Sequence, residues 1–238
     1  MRGVFVTGTG TEVGKTVVAA AICAALAARG ERVAAFKPVV TGLDEPRDGR
    51  WPADHELLAG AASAGQEPGD VAPYTFGPPL SPHYAAELAG VGIDPARLRS
   101  AAHAASDGAR RDDEASGQVG SATADALVCE GVGGLLVPLT AGYSVRDLAV
   151  DLALPLVVVA RSGLGTINHT LLTVEAARAA GLHVAGIVMT PWADPEPIEE
   201  SNRATVERLA GVPVSGLAPT TPAALADAGA ALPLNAWL

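Results

Sequence analysis

Lysine is nearly absent from this chain: of 16 basic side chains in 238 residues, only Lys15 and Lys37 are lysines and the other 14 are arginines. There is no extended Lys/Arg run, and 26 acids give a formal net charge of −10. That balance argues against a nucleic-acid surface or a patch for anionic membranes, although a local site can still bind small anions. Long hydrophobic runs are also missing. The longest, Val17 to Ala28, has 12 residues, against the ~20 that a membrane span needs. Strand-like residues begin at Val4, with no basic segment, apolar segment and cleavage site in order, so no signal peptide is expected and the chain reads as cytoplasmic. Cysteine occurs twice, without metal-ligand spacing, and Cys23 and Cys129 are expected as buried small hydrophobes rather than a disulfide or zinc ligands. Coding bias toward alanine and arginine explains the lysine scarcity equally well. The placement of the two lysines therefore carries more information than their number.

What is present is a core. With 49% hydrophobic and 18% charged residues, disorder is excluded and a sizeable interior can be buried. Short β-branched runs alternate with alanine-rich helical patterns: Val4–Val6, then Lys15–Arg29 closed by Gly30, then Val33–Phe36. This is a βαβ opening. Leu127–Cys129, Leu156–Ala160 and Val184–Met189 read as further strands, the last two apolar enough for parallel strands covered on both faces. Helices are expected over Val145–Leu152, Asn168–Ala180 and Glu199–Leu209, with Gly181 and Gly211 at the C-terminal ends of the last two. Residues 44–53 and 105–121, rich in Asp, Gly, Arg and Ser, read as exposed loops. No stretch is a clear interdomain linker, so one α/β domain is expected over residues 1–238, a doubly wound, mostly parallel sheet with helices on both faces.

Gly8-Thr-Gly-Thr-Glu-Val-Gly-Lys-Thr16 ends the first strand and opens the first helix, the context that a phosphate-binding loop requires. Gly10, Thr11, Glu12, Val13 and Gly14 supply backbone N–H groups, and the helix start adds a favourable dipole. Lys15 neutralises β- and γ-phosphates, Thr16 offers a hydroxyl to Mg²⁺, and Val17 beside it completes the nucleotide-binding set of the loop and helix start. Five residues stand between Gly8 and Gly14 where the usual pattern has four, so the loop is lengthened. Lys37 opens Lys-Pro-Val-Val-Thr-Gly42 at the end of the second strand, where an open α/β sheet gathers its ligands, although a solvated strand end would look the same. Retaining lysine where arginine is the rule suggests a compact ammonium with a specific task. Glu130 heads Glu-Gly-Val-Gly-Gly134 at another strand end and can serve as a metal-side acid or belong to a plain turn. Asp54 either joins it or caps a helix beginning near His55.

Taken in order, Thr7–Thr16, Lys37–Gly42, Pro73-Tyr-Thr-Phe76 with Ser81-Pro-His83, Glu130–Gly134 and Gly165-Thr-Ile-Asn-His169 resemble the dethiobiotin synthetase family, whose P-loop has the long form. The resemblance implies a homodimeric P-loop cyclo-ligase of biotin biosynthesis. Its substrates would be 7,8-diaminononanoate, CO₂ or bicarbonate, and a Mg-bound nucleoside triphosphate, ATP in the type case; its products would be dethiobiotin, ADP and phosphate. One amine takes up CO₂ as a carbamate, the γ-phosphate converts it to a carbamic–phosphoric anhydride, and the second amine closes the ring. By that resemblance Lys15, Lys37 and Thr11 are catalytic, and Thr16, Asp54 and Glu130 arrange Mg²⁺. Thr11, Lys37, Thr41, Gly133, Leu164, Gly165, Thr166 and Asn168 contact the substrate, with Asn202 contributed across the subunit interface. His83 and His169 are read as structural, since the chemistry needs neither.

The resemblance breaks after Met189, where many members carry Asn-Asp to read adenine and this chain has Thr190-Pro191. Loss of the amide that pairs with one base predicts broadened triphosphate use, with Pro219 packing on the base. The rival reading is a P-loop regulatory ATPase of the partitioning or septum-site type, a switch on nearly the same fold, but positions 8–13 lack that group's additional lysine. An amidotransferase-linked synthetase of the same fold needs more chain than 238 residues provide. On either nucleotide reading both lysines fall at one site, which is expected to be a locally cationic pocket in an acidic shell.

Overall fold

A computed structural model of the protein describes residues 2–46, 49, 51–108 and 123–238. The chain starts with β1 (Gly3–Gly8), buried along its whole length, and α1 (Lys15–Ala28). Side chains alternate across a strand. Val4 and Val6 share a core with Val18, Ile22 and Leu26 of α1, while Phe5 joins the core on the opposite face. Each such fully buried side chain contributes on the order of 1.5–3 kcal/mol by leaving water. β2 (Val33–Phe36) follows, then α2 (Asp54–Ala61), α3 (Pro68–Val71), α4 (Pro82–Leu88) and α5 (Pro95–Asp107). β3 (Ala126–Glu130) leads into a hairpin of β4 (Pro138–Thr140) and β5 (Tyr143–Ser144), then α6 (Val145–Leu152). The remainder alternates through β6 (Leu156–Ala160), α7 (Thr166–Ala179), β7 (Val184–Met189), α8 (Pro197–Ala210) and β8 (Val214–Gly216). A 3₁₀ turn (Pro222–Ala224), α9 (Leu225–Ala230) and α10 (Leu234–Trp237) end the chain.

Among the described residues six strands form one parallel sheet in the order β2-β3-β1-β6-β7-β8. One face carries α1, α2, α9 and α10, and the other α4 to α8, which is the doubly wound arrangement expected. Alanines at 19, 20 and 21, all fully buried, let α1 lie close to its neighbours. Gly229 of α9 approaches so nearly that a Cβ there would stand 2.0 Å from the Ala21 carbonyl oxygen. Chain direction along the sheet reverses at β1, with β3 on one side and β6 on the other, and ligands of such sheets bind beyond the carboxyl ends at that point. Register puts the chemistry there: Val6 pairs with Glu130 and Phe36 with Cys129, so Lys37 and Glu130 leave adjacent strands at the same level.

β2, β6, β7 and α6 have the bounds expected from sequence, and Cys23 and Cys129 are buried and free. Two expectations are corrected. Residues 105–107, read as the start of an exposed loop, form the last turn of α5 with Ala105 buried. Asp94 caps that helix by accepting from Ala96 N at 2.9 Å, and Leu98, Ala102 and Ala105 form its buried face. From residue 109 to 121 that expected loop lies outside the described residues, as do 47, 48 and 50 of the loop at 44–53, whose other positions are irregular. The second correction is Asp54, which is the first residue of α2 and not its cap; Ala53 takes the cap position. The carboxylate of Asp54 turns instead toward Lys37.

Candidate active site

The loop between β1 and α1 is shaped by its last glycine. Gly14 stands at φ 92, a left-handed conformation that glycine adopts without steric cost, and a Cβ on it would come 2.6 Å from Thr190 Cγ2. No side chain caps the start of α1 and its first turn holds no acid, so its free N–H groups and dipole are available to an anion. Lys15, 7% exposed, folds back to donate from Nζ to the Gly10 carbonyl oxygen at 2.7 Å. Burial pushes its pKa down to about 8, and Lys37 adds to that while Glu130 and Asp54 oppose it. Incoming phosphates would restore the full charge, as any nearby anion favours the ammonium form.

Lys37 and Glu130 meet as the register requires. Lys37 Nζ is 2.6 Å from Glu130 Oε1 and 2.7 Å from Asp54 Oδ2, which α2 brings over from the far side. Thr16 Oγ1 donates to the same Glu130 oxygen at 2.9 Å. Burial alone would lower the Lys37 pKa, but Glu130 and Asp54 together outweigh it and hold the ammonium above its usual value. Asp54 is held below the usual carboxylate range because Lys37, with help from Thr16 and Lys15, overcomes its burial. Glu130, fully buried, is pushed up by desolvation and by Asp54 against the pull of Lys37. Its second oxygen, Oε2, is buried without a hydrogen-bond partner.

Around these groups lies a cleft of ≈ 810 Å³ lined by Thr11, Glu12, Gly14, Lys15, Thr16 and Val17 of the loop and α1, by Lys37, Thr41, Asp54, Glu130 and Gly133, and by residues 79–82. The cleft is not the cationic pocket expected from the lysine placement. Two ammonium groups face four carboxylates in its lining, those of Glu12, Glu45, Asp54 and Glu130, and Lys37 is already committed to two of them. An anionic ligand here needs further positive charge. The donor set suits a hard cation: an orphaned carboxylate oxygen on Glu130, the Thr16 hydroxyl and Asp54 supply oxygen ligands. No group of three or more His, Cys, Asp or Glu able to hold a metal by itself occurs among the described residues.

The second set of expected residues stands apart from this lining. Gly165, at φ 91, precedes α7 with no side-chain cap; Leu164 is 93% exposed and Asn168 exposed. Thr166 is buried and donates to the Arg161 carbonyl oxygen at 2.5 Å. Asn202, also buried, donates from Nδ2 to the carbonyls of Ser162 and Gly163 at 2.9 and 3.2 Å, so its amide is engaged in shaping its own chain's turn. Thr190 packs against Gly14 at the rim, whereas Pro219 is exposed and does not line the cleft. Glu45 and the wall at Pro79–Pro82 were missed. The proline-rich stretch was a visible signal for the wall; Glu45 had none. Arg161 was missed as well, and its place immediately after a buried strand was the available clue. Its guanidinium donates to the Glu12 carbonyl oxygen at 2.6 Å.

A doubly wound parallel sheet with a lysine- and threonine-bearing glycine loop at its switch point, and an acid on the neighbouring strand, defines a P-loop NTPase-type protein. The AAA domain family matches residues 2–226. Solved structures agree at the level of fold: the MinC:MinD cell division complex of Aquifex aeolicus aligns with TM-score 0.52 at 12% identity over 97% of this chain and 85% of that one. A ParA family ATPase of Chlorobium tepidum aligns with TM-score 0.50 at 13% identity over 96% and 88%. Sequence relatives are much nearer. The chain is 44% identical to the ATP-dependent dethiobiotin synthetase of Anaeromyxobacter dehalogenans over 88% of its own length and 86% of the relative's. It is 38% identical to that of Anoxybacillus flavithermus over 92% of each, and 36% identical to that of Bacillus subtilis over 92% and 87%. The chain belongs to the ATP-dependent dethiobiotin synthetases, and its likeness to the partitioning and septum-site ATPases extends to the fold alone.

Proposed function

We propose that this chain is a cytoplasmic Mg²⁺-dependent cyclo-ligase that closes the ureido ring of dethiobiotin from 7,8-diaminononanoate, CO₂ and a nucleoside triphosphate. The observation that carries the reading is the contact of Lys37 with both Glu130 and Asp54 beside the phosphate loop. Carbamate and triphosphate are both anionic, and the barrier to phosphoryl transfer falls when fixed positive charge lies between them. Lys15 takes the β- and γ-phosphates with the N–H groups of residues 10–17. Lys37 keeps one of its three N–H bonds for the carbamate or the transferring phosphoryl group, since two are directed at Glu130 and Asp54. Thr16, Asp54 and Glu130 would hold Mg²⁺, which when bound supplies the charge that the carboxylate-rich cleft lacks. Thr11 and Thr41, both in the cleft lining, orient the amines, and Gly133 lets the chain pass close to the substrate.

The turn at Leu164–Asn168 receives the substrate carboxylate of the neighbouring subunit in a homodimer, its free helix N-terminus acting as the anion site. The nearly full exposure of Leu164, and a lining of its own cleft that does not include residues 164–168, support that assignment. Asn202 contributes by holding the turn. Thr190, against Gly14, leaves no side-chain amide for the base, so ATP, CTP, GTP and UTP are all used; a strong preference for ATP alone in a kinetic comparison overturns that part. The activity itself is tested with diaminononanoate, Mg-nucleotide and labelled bicarbonate. Labelled dethiobiotin is expected. No product, with nucleotide hydrolysis stimulated instead by a protein partner or DNA, identifies a switch.

A further inference from the structure

Arg161 is exposed, but both of its ends are committed. Its carbonyl oxygen accepts from the buried Thr166 hydroxyl, and the next two carbonyls are held by Asn202. From this anchored base the guanidinium reaches the phosphate loop and donates from Nη2 to the Glu12 carbonyl oxygen at 2.6 Å. Glu12 stands at φ 58, in the left-handed region that a residue with a Cβ rarely occupies. It is also within the lengthened part of the loop, between Gly8 and Gly14.

A trans peptide points its C=O and its N–H in opposite directions. Arg161 lies outside the cleft lining, whereas Thr11, Glu12, Gly14 and Lys15 lie in it. Holding the Glu12 carbonyl outward therefore turns the N–H of Val13 toward the cleft. We propose that Arg161 is a positioning residue that locks the Glu12–Val13 peptide, so that the extra residue of the long loop presents an N–H donor to the nucleotide phosphates. Without the lock, relaxation of Glu12 out of the left-handed region swings a carbonyl oxygen toward those phosphates, replacing attraction by repulsion. The proposal rests on the nucleotide reading of the loop.

Equilibrium binding of Mg-ATP to the full-length protein separates the two. If the parent does not bind Mg-ATP, the nucleotide reading fails and the lock with it; if the parent binds, the variants address the lock alone. Arg161→Met is expected to weaken Mg-ATP binding about tenfold, the size of a lost charge-assisted hydrogen bond. The KM for nucleotide should rise with it while the KM for diaminononanoate stays within twofold. Arg161→Lys, which keeps the charge but not the planar fork, should recover only part of the loss. In a Glu12→Gly background, where glycine occupies the left-handed region without steric cost, Arg161→Met should cost no more than about threefold. Binding within twofold of the parent for Arg161→Met, full recovery in Arg161→Lys, or an equal loss in both backgrounds overturns the lock.

Discussion

Two ends of the same sheet edge are built by opposite means. Beyond β1, β2 and β3 the site is made of charge taken out of water: Lys15, Lys37 and Glu130 are 7%, 3% and 0% exposed, Lys37 and Glu130 pair with each other, and Lys15 donates to the Gly10 carbonyl. Beyond β6 the turn at 161–168 carries its outermost residues in solvent and is shaped by neutral donors, Thr166 and Asn202, acting on main-chain carbonyls. Charge in the first region sets energies, because a buried group that loses its partner has no water to replace it. The second region sets geometry. Its carbonyl acceptors carry no net charge, and two of them belong to the exposed Arg161 and Gly163, so a lost bond there loosens the turn without stranding a charge.

The comparison is broken most directly at Lys37. Lys37→Gln retains a polar side chain beside Glu130 but removes the cation, and kcat is expected to fall by about 10²–10³ or more, the scale of losing a preorganised group that stabilises developing negative charge. Nucleotide binding, which rests on the loop and Lys15, should be largely kept. Full activity in that variant refutes the assigned role. Glu130→Gln is expected next in size. It takes away an oxygen ligand and its charge, so the Mg²⁺ concentration for half-maximal nucleotide binding should rise about tenfold or more. Without metal, however, the variant should melt no lower than the parent, because a fully buried carboxylate is itself costly and Lys37 retains Asp54. A large loss of thermal stability would show that Glu130 is a structural anchor.

Asn202→Ala probes the geometric region. It leaves the Ser162 carbonyl without this donor and the Gly163 carbonyl with the Thr166 N–H alone, and should lower stability by about 1–2 kcal/mol, the scale of losing a neutral donor at a partly buried turn. The KM for diaminononanoate should rise several-fold, while Mg-nucleotide affinity falls by no more than about threefold, because Asn202 bears on the phosphate loop only through the turn that carries Arg161. An equal loss in nucleotide affinity would mean that the two regions are not separable in this way.

The two regions were unequally legible in the sequence. β2, β6 and β7 were readable because parallel strands covered on both faces are continuous apolar runs, and the phosphate loop because backbone constraint forces glycines into a recognisable order. Lys37 and Glu130 could each be located at a strand end, but their contact depends on a strand register that no local pattern encodes. Asp54 was ambiguous for the same reason: a cap and an ion-pair partner look alike until α2 is placed against β2. The cationic pocket was misjudged because counting lysines at one site ignores the carboxylates that the fold brings to it, Glu45 above all. In the turn, the glycine and the helix start were visible, whereas the use of Asn202 and Arg161 on main-chain carbonyls leaves no periodic trace. Side chain to backbone bonds across long sequence separations are the part of a fold that composition and spacing describe least.

A matched pair of threonines gives the finest version of the contrast. Thr16, second residue of α1, and Thr166, first residue of α7, both stand in the first turn of a helix entered through a glycine and both donate from Oγ1, the first to the buried Glu130 carboxylate and the second to the Arg161 carbonyl. Valine keeps the shape of either side chain and removes only the donor. Thr166→Val is expected to give the smallest effect, about 0.5–1.5 kcal/mol of stability for one neutral hydrogen bond, with kcat/KM within about threefold, because water can take over at the exposed Arg161. Thr16→Val is the control: the same chemical change leaves a fully buried carboxylate short of a donor and a metal ligand, so nucleotide-dependent turnover should fall by at least about tenfold more than in Thr166→Val. Comparable losses in kcat/KM for the two variants would mean that burial of charge is not what distinguishes the regions, and that the turn beyond β6 holds the reacting groups as tightly as the cleft does.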